Sequence, residues 1–172
     1  MSLYPTPTNI WESIEYSNLG TTIAESTWMF PTLETLHVIA LVSVLGTIFV
    51  VDLRMLGWTS NKFAVTAVAK DTLPWTWGAF VGAAITGGLL WISKASDYMH
   101  NPYFLLKMAT MALAGLNMMY FHFMTWRTVE HWDRDATMPF AVKLAAALSI
   151  IFWLAVVFFG RAIGFTLGIF GS

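Results

Sequence analysis

Five ionisable residues lie inside apolar stretches of this chain: Glu34, His37, Asp52, Lys107 and His122. Burying charge in hydrocarbon is costly, so each is a candidate for binding, proton exchange or ion pairing. Residue types and spacing arrange them in two groups. Glu34 and His37 are three apart, on one face of a helix, and Lys107 falls at a matching position in a later apolar segment. Counting about 1.5 Å of rise per residue, Glu34 and Lys107 each lie about 8 Å inside the segment start. A Glu34–Lys107 ion pair is therefore expected, with His37 one turn deeper. Asp52, Arg54 and His122 form a second group at the opposite edge, where Asp52 and His122 could meet.

The first group would make an outward-side pocket of a carboxylate, an imidazole and an ammonium, suited to a redox cofactor, a metal or a quinone. Haem b is the expected occupant, for electron transfer or as the membrane subunit of an oxidoreductase: His37 would be its strong ligand, with His100 as a second if the chain folds inward there, and Lys107 would neutralise a propionate. His37 and His122, at depths of about 12 and 30 Å, are too far apart in height to share one iron. Copper is the alternative, because thioether and imidazole suit Cu(I). Met108, Met111, Met118 and His122 fall near one stripe of a helix, and His37 is the further imidazole. A third reading needs no cofactor: the pairs Glu34–Lys107 and Asp52–Arg54–His122 only clip helices together, and the chain is an accessory or scaffold subunit. No nucleophile–base set, phosphate loop or nucleotide fingerprint is present.

The elements that must hold these residues are membrane helices. Of 172 residues, 57% are hydrophobic and only 11% charged, under half the charge of an ordinary soluble domain. A net charge of −1 and the absence of Cys exclude a nucleic-acid binder and a disulfide scaffold. Spanning takes about 20 apolar residues. Four segments qualify, at about 29–55, 73–94, 103–126 and 140–161. The expected fold is thus all-α, an integral membrane four-helix bundle forming a single transmembrane domain in a lipid bilayer, with a protein partner or a second copy for company. Gly78, Gly82, Ala83, Gly87 and Gly88 give the second span several small-xxx-small pairs for close packing.

Before the first span, Asn9 and Glu12 have capping-box spacing, and Ile10, Trp11 and Ile14 could face lipid, so a short N-terminal interfacial helix is expected. Lys and Arg set the orientation. Arg54, Lys62, Lys70, Arg127, Arg134 and Lys143 flank the two turns that join spans one to two and three to four, against Lys94, Lys107 and Arg161 at the other face. That bias puts those turns in the cytoplasm and both termini outside. The course of residues 162–172 is left open.

The run Trp28-Met29-Phe30-Pro31-Thr32-Leu33-Glu34-Thr35-Leu36-His37, then Gly46 and Asp52-Leu53-Arg54-Met55-Leu56-Gly57, together with Lys107 and Asn117, resembles a small bacterial membrane-protein family of unknown function. The arrangement is also distantly similar to the copper-resistance D family and to small b-type cytochromes. That resemblance implies a membrane cofactor or metal role for His37, with Glu34 beside it. Spans two and four lack the histidines that dihaem cytochromes use.

Overall fold

A computed structural model describes residues 5–59, 62–134 and 138–170. Two short helices come first, α1 (Ile10–Glu15) and α2 (Asn18–Glu25). Asn9 caps α1: its Oδ1 accepts from the Glu12 N–H at 2.9 Å, and its amide donates to the Glu12 carboxylate at 3.2 Å. The cap expected from the sequence is formed, but one interfacial helix has become two, because Ser17 starts a second by accepting from the Gly20 N–H.

Four helices are long and apolar enough to cross a bilayer. They are α3 (Met29–Leu56), α4 (Val65–Ser93), α6 (Pro102–Tyr120) with its continuation to Trp132, and α8 (Phe140–Thr166), while α5 (Ala95–His100) joins α4 to α6. This is the pattern of a multi-pass membrane protein, with both termini at one end and the α3–α4 and α6–α8 connections at the other. We call these the terminus end and the loop end. The sequence places the start of α4 at about 73, yet the helix begins at Val65 and carries Pro74 in its interior. Lys70 and Asp71 lie within the helix and do not mark its beginning. Beyond the expected 161, α8 runs on to Thr166.

The continuation of α6 is irregular. Phe121–Thr125 is a π-helical turn and Trp126–Thr128 a 3₁₀ turn, followed by α7 (Val129–Trp132). A π-turn widens the helix and leaves backbone groups imperfectly laddered, and such turns concentrate at functional sites.

Neighbour order decides what the bundle can enclose. α3 packs along α4, α6 along α8, and α3 also touches α8, whereas α4 and α6 have no comparable contact. The four spans thus form an open horseshoe. At the terminus end, α2 and α1 pack against α4, and α1 also against α5. Glu15 accepts a hydrogen bond from the Ser96 N–H at 3.0 Å, and Trp11 meets Trp91 edge-on.

The tightest packing is at the loop end, where Met55, Val65, Phe121, Trp132, Met138, Val142, Ala145 and Ala146 are buried together. Polar contacts lock the same region. The Asp133 carboxylate accepts from the Thr66 N–H at 2.8 Å and the Thr66 hydroxyl at 2.7 Å, and the Asp133 carbonyl accepts from the Val65 N–H. Asp133 thereby satisfies two orphan N–H donors of a long helix from across the fold, one through its carboxylate and one through its carbonyl.

Candidate functional site

His37 sits against α4. Its Nδ1 lies 3.0 Å from the Ala83 carbonyl oxygen and 3.1 Å from the Thr86 hydroxyl. A carbonyl only accepts, and the Thr86 hydroxyl donates to the Gly82 carbonyl at 2.7 Å. Nδ1 therefore carries the proton, and the free lone pair of the ring is on Nε2. The ring is seated over Gly87. A Cβ there would stand 2.8 Å from Cε1 and 3.2 Å from Nδ1, so glycine is what lets the imidazole reach its carbonyl. A Cβ at Gly82 would come within ordinary contact of Ala40, whereas one at Gly78 or Gly88 would meet nothing within 4 Å, so close approach needs glycine at only part of the small-residue stripe.

The expected Glu34–Lys107 ion pair is not made. Glu34 is exposed at the start of α3. Lys107 turns toward α8 and passes Gly160, where its Nζ would be 3.6 Å from an added Cβ. Lys107 packs on α8, the partner of α6, and does not pair with Glu34, but its ammonium stays within electrostatic reach of His37. His100 is exposed and bonds the Ser96 carbonyl of its own helix at 2.8 Å, so it is not folded in toward His37. Nearby, Tyr98 is pushed up to about 12, first by burial and then by the carboxylates of Glu34 and Asp97.

The loop-end group divides as well. Arg54 is fully buried, but it turns away from Asp52: Nε donates to the Phe63 carbonyl at 2.8 Å and Nη2 to the Asp133 carbonyl at 3.3 Å. Asp52 and His122 do share a surface, without a hydrogen bond between them. Both line a cavity of about 530 Å³ between the four spans. Its back wall comes from α3 (Val44, Ile48, Asp52) and α8 (Ala145, Ser149, Trp153). Its sides come from α4 and from α6 with the π-turn, and its floor is the packed loop-end cluster. Trp77, Met118, Met119 and Phe123 line it and are about half exposed, which puts the mouth in the gap between α4 and α6.

Polar groups are few on this wall. Asp52 is 4% exposed, and its Oδ2 is buried with no hydrogen-bond partner. The Asn117 amide donates to the Ala145 carbonyl at 2.9 Å, and the Thr76 hydroxyl donates to Thr47 at 2.8 Å. His122, in the π-turn, is exposed at the rim and stacks parallel to Trp126 with centroids 5.6 Å apart. Of the methionine stripe, Met111 and Met118 are on the cavity wall, whereas Met108 is outside it. Among the described residues, no three His, Asp or Glu side chains converge as a metal site. Sequence reasoning missed Thr76 and Ser149, which are ordinary in a span and gain meaning only from the cavity. Asp133 was missed too, since nothing in its local sequence points to Thr66.

Residues 10–166 match the model of DUF6644, a family of unknown function, and the chain belongs to that family. No curated protein and no solved structure gives a significant match, so the similarity to copper-resistance D proteins and b-type cytochromes has no counterpart there.

Proposed function

We propose that this protein binds a lipid-soluble small molecule in the cavity between α4 and α6, taking a compact polar head at the Asp52 end and leaving an apolar tail toward the bilayer. The observation that carries this reading is a mostly apolar chamber of about 530 Å³ with one buried carboxylate residue, Asp52, on its wall. Ligand pockets of a few hundred Å³ combine apolar walls with a few convergent polar groups in this way. The cavity runs along α3 from Val44 to Met55, about 17 Å of helix, so a ring and the first carbons of a chain fit lengthwise. Lipid quinones and related ring lipids have this shape. On this reading the loop end, with its six Lys and Arg, faces the cytoplasm of a bacterial inner membrane.

Filling the chamber tests the proposal. A Cβ at Gly115 meets nothing within 4 Å, and Gly115 is on the cavity wall. Gly115→Leu should therefore occupy the chamber without disturbing the fold. Organic extraction of the purified wild type should release a stoichiometric ring lipid that the Gly115→Leu protein lacks. Equal recovery from both, or only bulk phospholipid from either, refutes the reading.

A second reading concerns haem b at His37, and one observation favours it: a ligating imidazole usually donates its other ring N–H to a carbonyl, as Nδ1 does to Ala83. The residues fit one axial ligand and not two, because neither His100 nor His122 is brought to this ring. Bound haem would supply one-electron chemistry. The chain's part would be to hold the imidazole through Ala83 and Thr86 and to offer Lys107 to a propionate. A Soret band that shifts on dithionite and disappears in His37→Ala supports this reading. Stoichiometric copper without that band would instead favour ligation by Met111, Met118 and His122, and a colourless, metal-free protein leaves the cavity reading or an accessory role beside a partner subunit.

A further inference from the structure

We infer that the terminus end of the bundle holds a site for the carboxyl group of a monocarboxylic acid, seated between the Lys107 ammonium and the His37 ring. It stands apart from the Asp52 end and needs no guest there. Its placement follows from helical register. Seven residues are close to two turns and return to the same face of a helix. From His37 on α3, Gly87 on α4, Lys107 on α6 and Gly160 on α8, that step leads to Val44, Phe80, Ala114 and Trp153, which are all on the cavity wall. The four residues therefore form one layer facing the bundle interior, about 10 Å nearer the terminus end than those wall residues. Two glycines in the layer make room for the two basic side chains. The His37 ring fits over Gly87, and the Lys107 chain crosses Gly160, with Nζ, Cε and Cδ 3.6 to 3.9 Å from where a Cβ would stand.

Both groups are left open. Lys94 and Arg161, the other bases at this end, lie over the Phe30 and Phe165 rings. Among the described residues Lys107 has no hydrogen-bond or ion-pair partner, and no carboxylate is near enough to act on it. It is half-buried, and its Nζ keeps accessible surface. An ammonium held in a bilayer without a counter-charge is costly. His37 is within electrostatic reach of it and brings no negative charge. With Nδ1 donating to Ala83, Nε2 offers a lone pair. A group that touches both must accept from Lys107 and donate to Nε2. A carboxyl group with its proton does both, one oxygen to each, and on ionising passes that proton to Nε2. A halide or a phosphodiester accepts from the ammonium but has no proton for the imidazole. Because α4 and α6 have no comparable contact, the gap beside α6 leads to this layer from the bilayer.

Two probes of one shape test the site. The protein in nanodiscs is titrated with laurate and with lauramide, which has the same chain and head-group outline but no charge, and empty nanodiscs give the partition background. Wild type should bind laurate at least about tenfold more tightly. Lys107→Met removes an unpaired charge and should bring the ratio below about threefold, whereas Lys94→Met should keep it. His37→Leu should weaken laurate about tenfold. Acetate that displaces laurate supports the site and assigns a water-borne acid, and an acetate that fails to displace it supports an acyl acid arriving through the bilayer. Equal affinities for the two probes in wild type, or saturable binding of neither, overturn the inference and need no variant to fold. A preference that survives Lys107→Met, or that Lys94→Met removes as well, overturns the assignment to Lys107. Laurate binding unchanged in His37→Leu overturns the bridge to the imidazole.

Discussion

Adding one methyl group at Gly87 should separate His37 from α4. The new Cβ would stand 2.8 Å from Cε1 and 3.2 Å from Nδ1, closer than nonbonded carbon and nitrogen tolerate. The ring must withdraw, and with it goes the bond to the Ala83 carbonyl. Overpacking of this kind costs about 1–3 kcal/mol, and an interhelical hydrogen bond in a membrane protein adds about 0.6 kcal/mol. Replacing a helical glycine by alanine returns about 0.5–1 kcal/mol. The net loss for Gly87→Ala is then about 0.6–3 kcal/mol. Gly88 is the control next door, because a Cβ there meets nothing within 4 Å. Gly88→Ala should keep the helix gain alone, so the two variants should differ by about 1.6–3.6 kcal/mol. Reversible unfolding in mixed micelles against SDS mole fraction measures both. Combining Gly87→Ala with His37→Ala removes the clash, so the double variant should be less destabilised than the sum of the single ones. If Gly87→Ala and Gly88→Ala unfold at the same point, the imidazole is not seated as described.

Three further outcomes are expected. Asp133→Ala should strip two bonds from Thr66 and cost about 1–3 kcal/mol, with faster hydrogen exchange confined to the first turn of α4, and Asp133→Asn should keep about half of the protection. Glu15 is held above the usual carboxylate range by burial, with Asp97 adding to the shift and the Ser96 N–H opposing it, so protonation favours the docked state of α1 on α5. Its contribution is fully present below the unfolded carboxylate value and is lost as pH rises through the folded one, so thermal stability should fall across that interval in wild type and stay flatter in Glu15→Gln. Finally, the chain has no cysteine, so Thr6→Cys and Lys62→Cys each carry a single thiol. In right-side-out vesicles a membrane-impermeant maleimide should label the first and spare the second, and the reverse pattern would invert the orientation.

The spans were legible because a bilayer imposes its demand locally, on about 20 consecutive residues, and needs no knowledge of neighbours. Helix ends were less so. Lys70 and Asp71 end the uncharged run, but α4 begins upstream of them at Val65. Depth was likewise readable from residue counts, which is why Asp52 and His122 do fall on one surface. Azimuth was not. Whether Lys107 meets Glu34 or Gly160 depends on which helix stands beside α6, and amphipathicity cannot say so when both lipid and protein neighbours are apolar. For the same reason the cavity was invisible in sequence, since it is a property of the gap between two helices and not of either.

That gap has a consequence for how the protein meets its surroundings. On the proposed cavity reading, acyl chains of the bilayer would complete the missing fourth wall of the chamber. Occupancy would then be a two-dimensional exchange governed by the mole fraction of guest among lipids, and aqueous concentration would drop out of the equilibrium. A thicker or more ordered leaflet would compete harder for the doorway at Trp77 and Phe123. Membrane composition, with no change in the polypeptide, would thereby tune how often the chamber is filled.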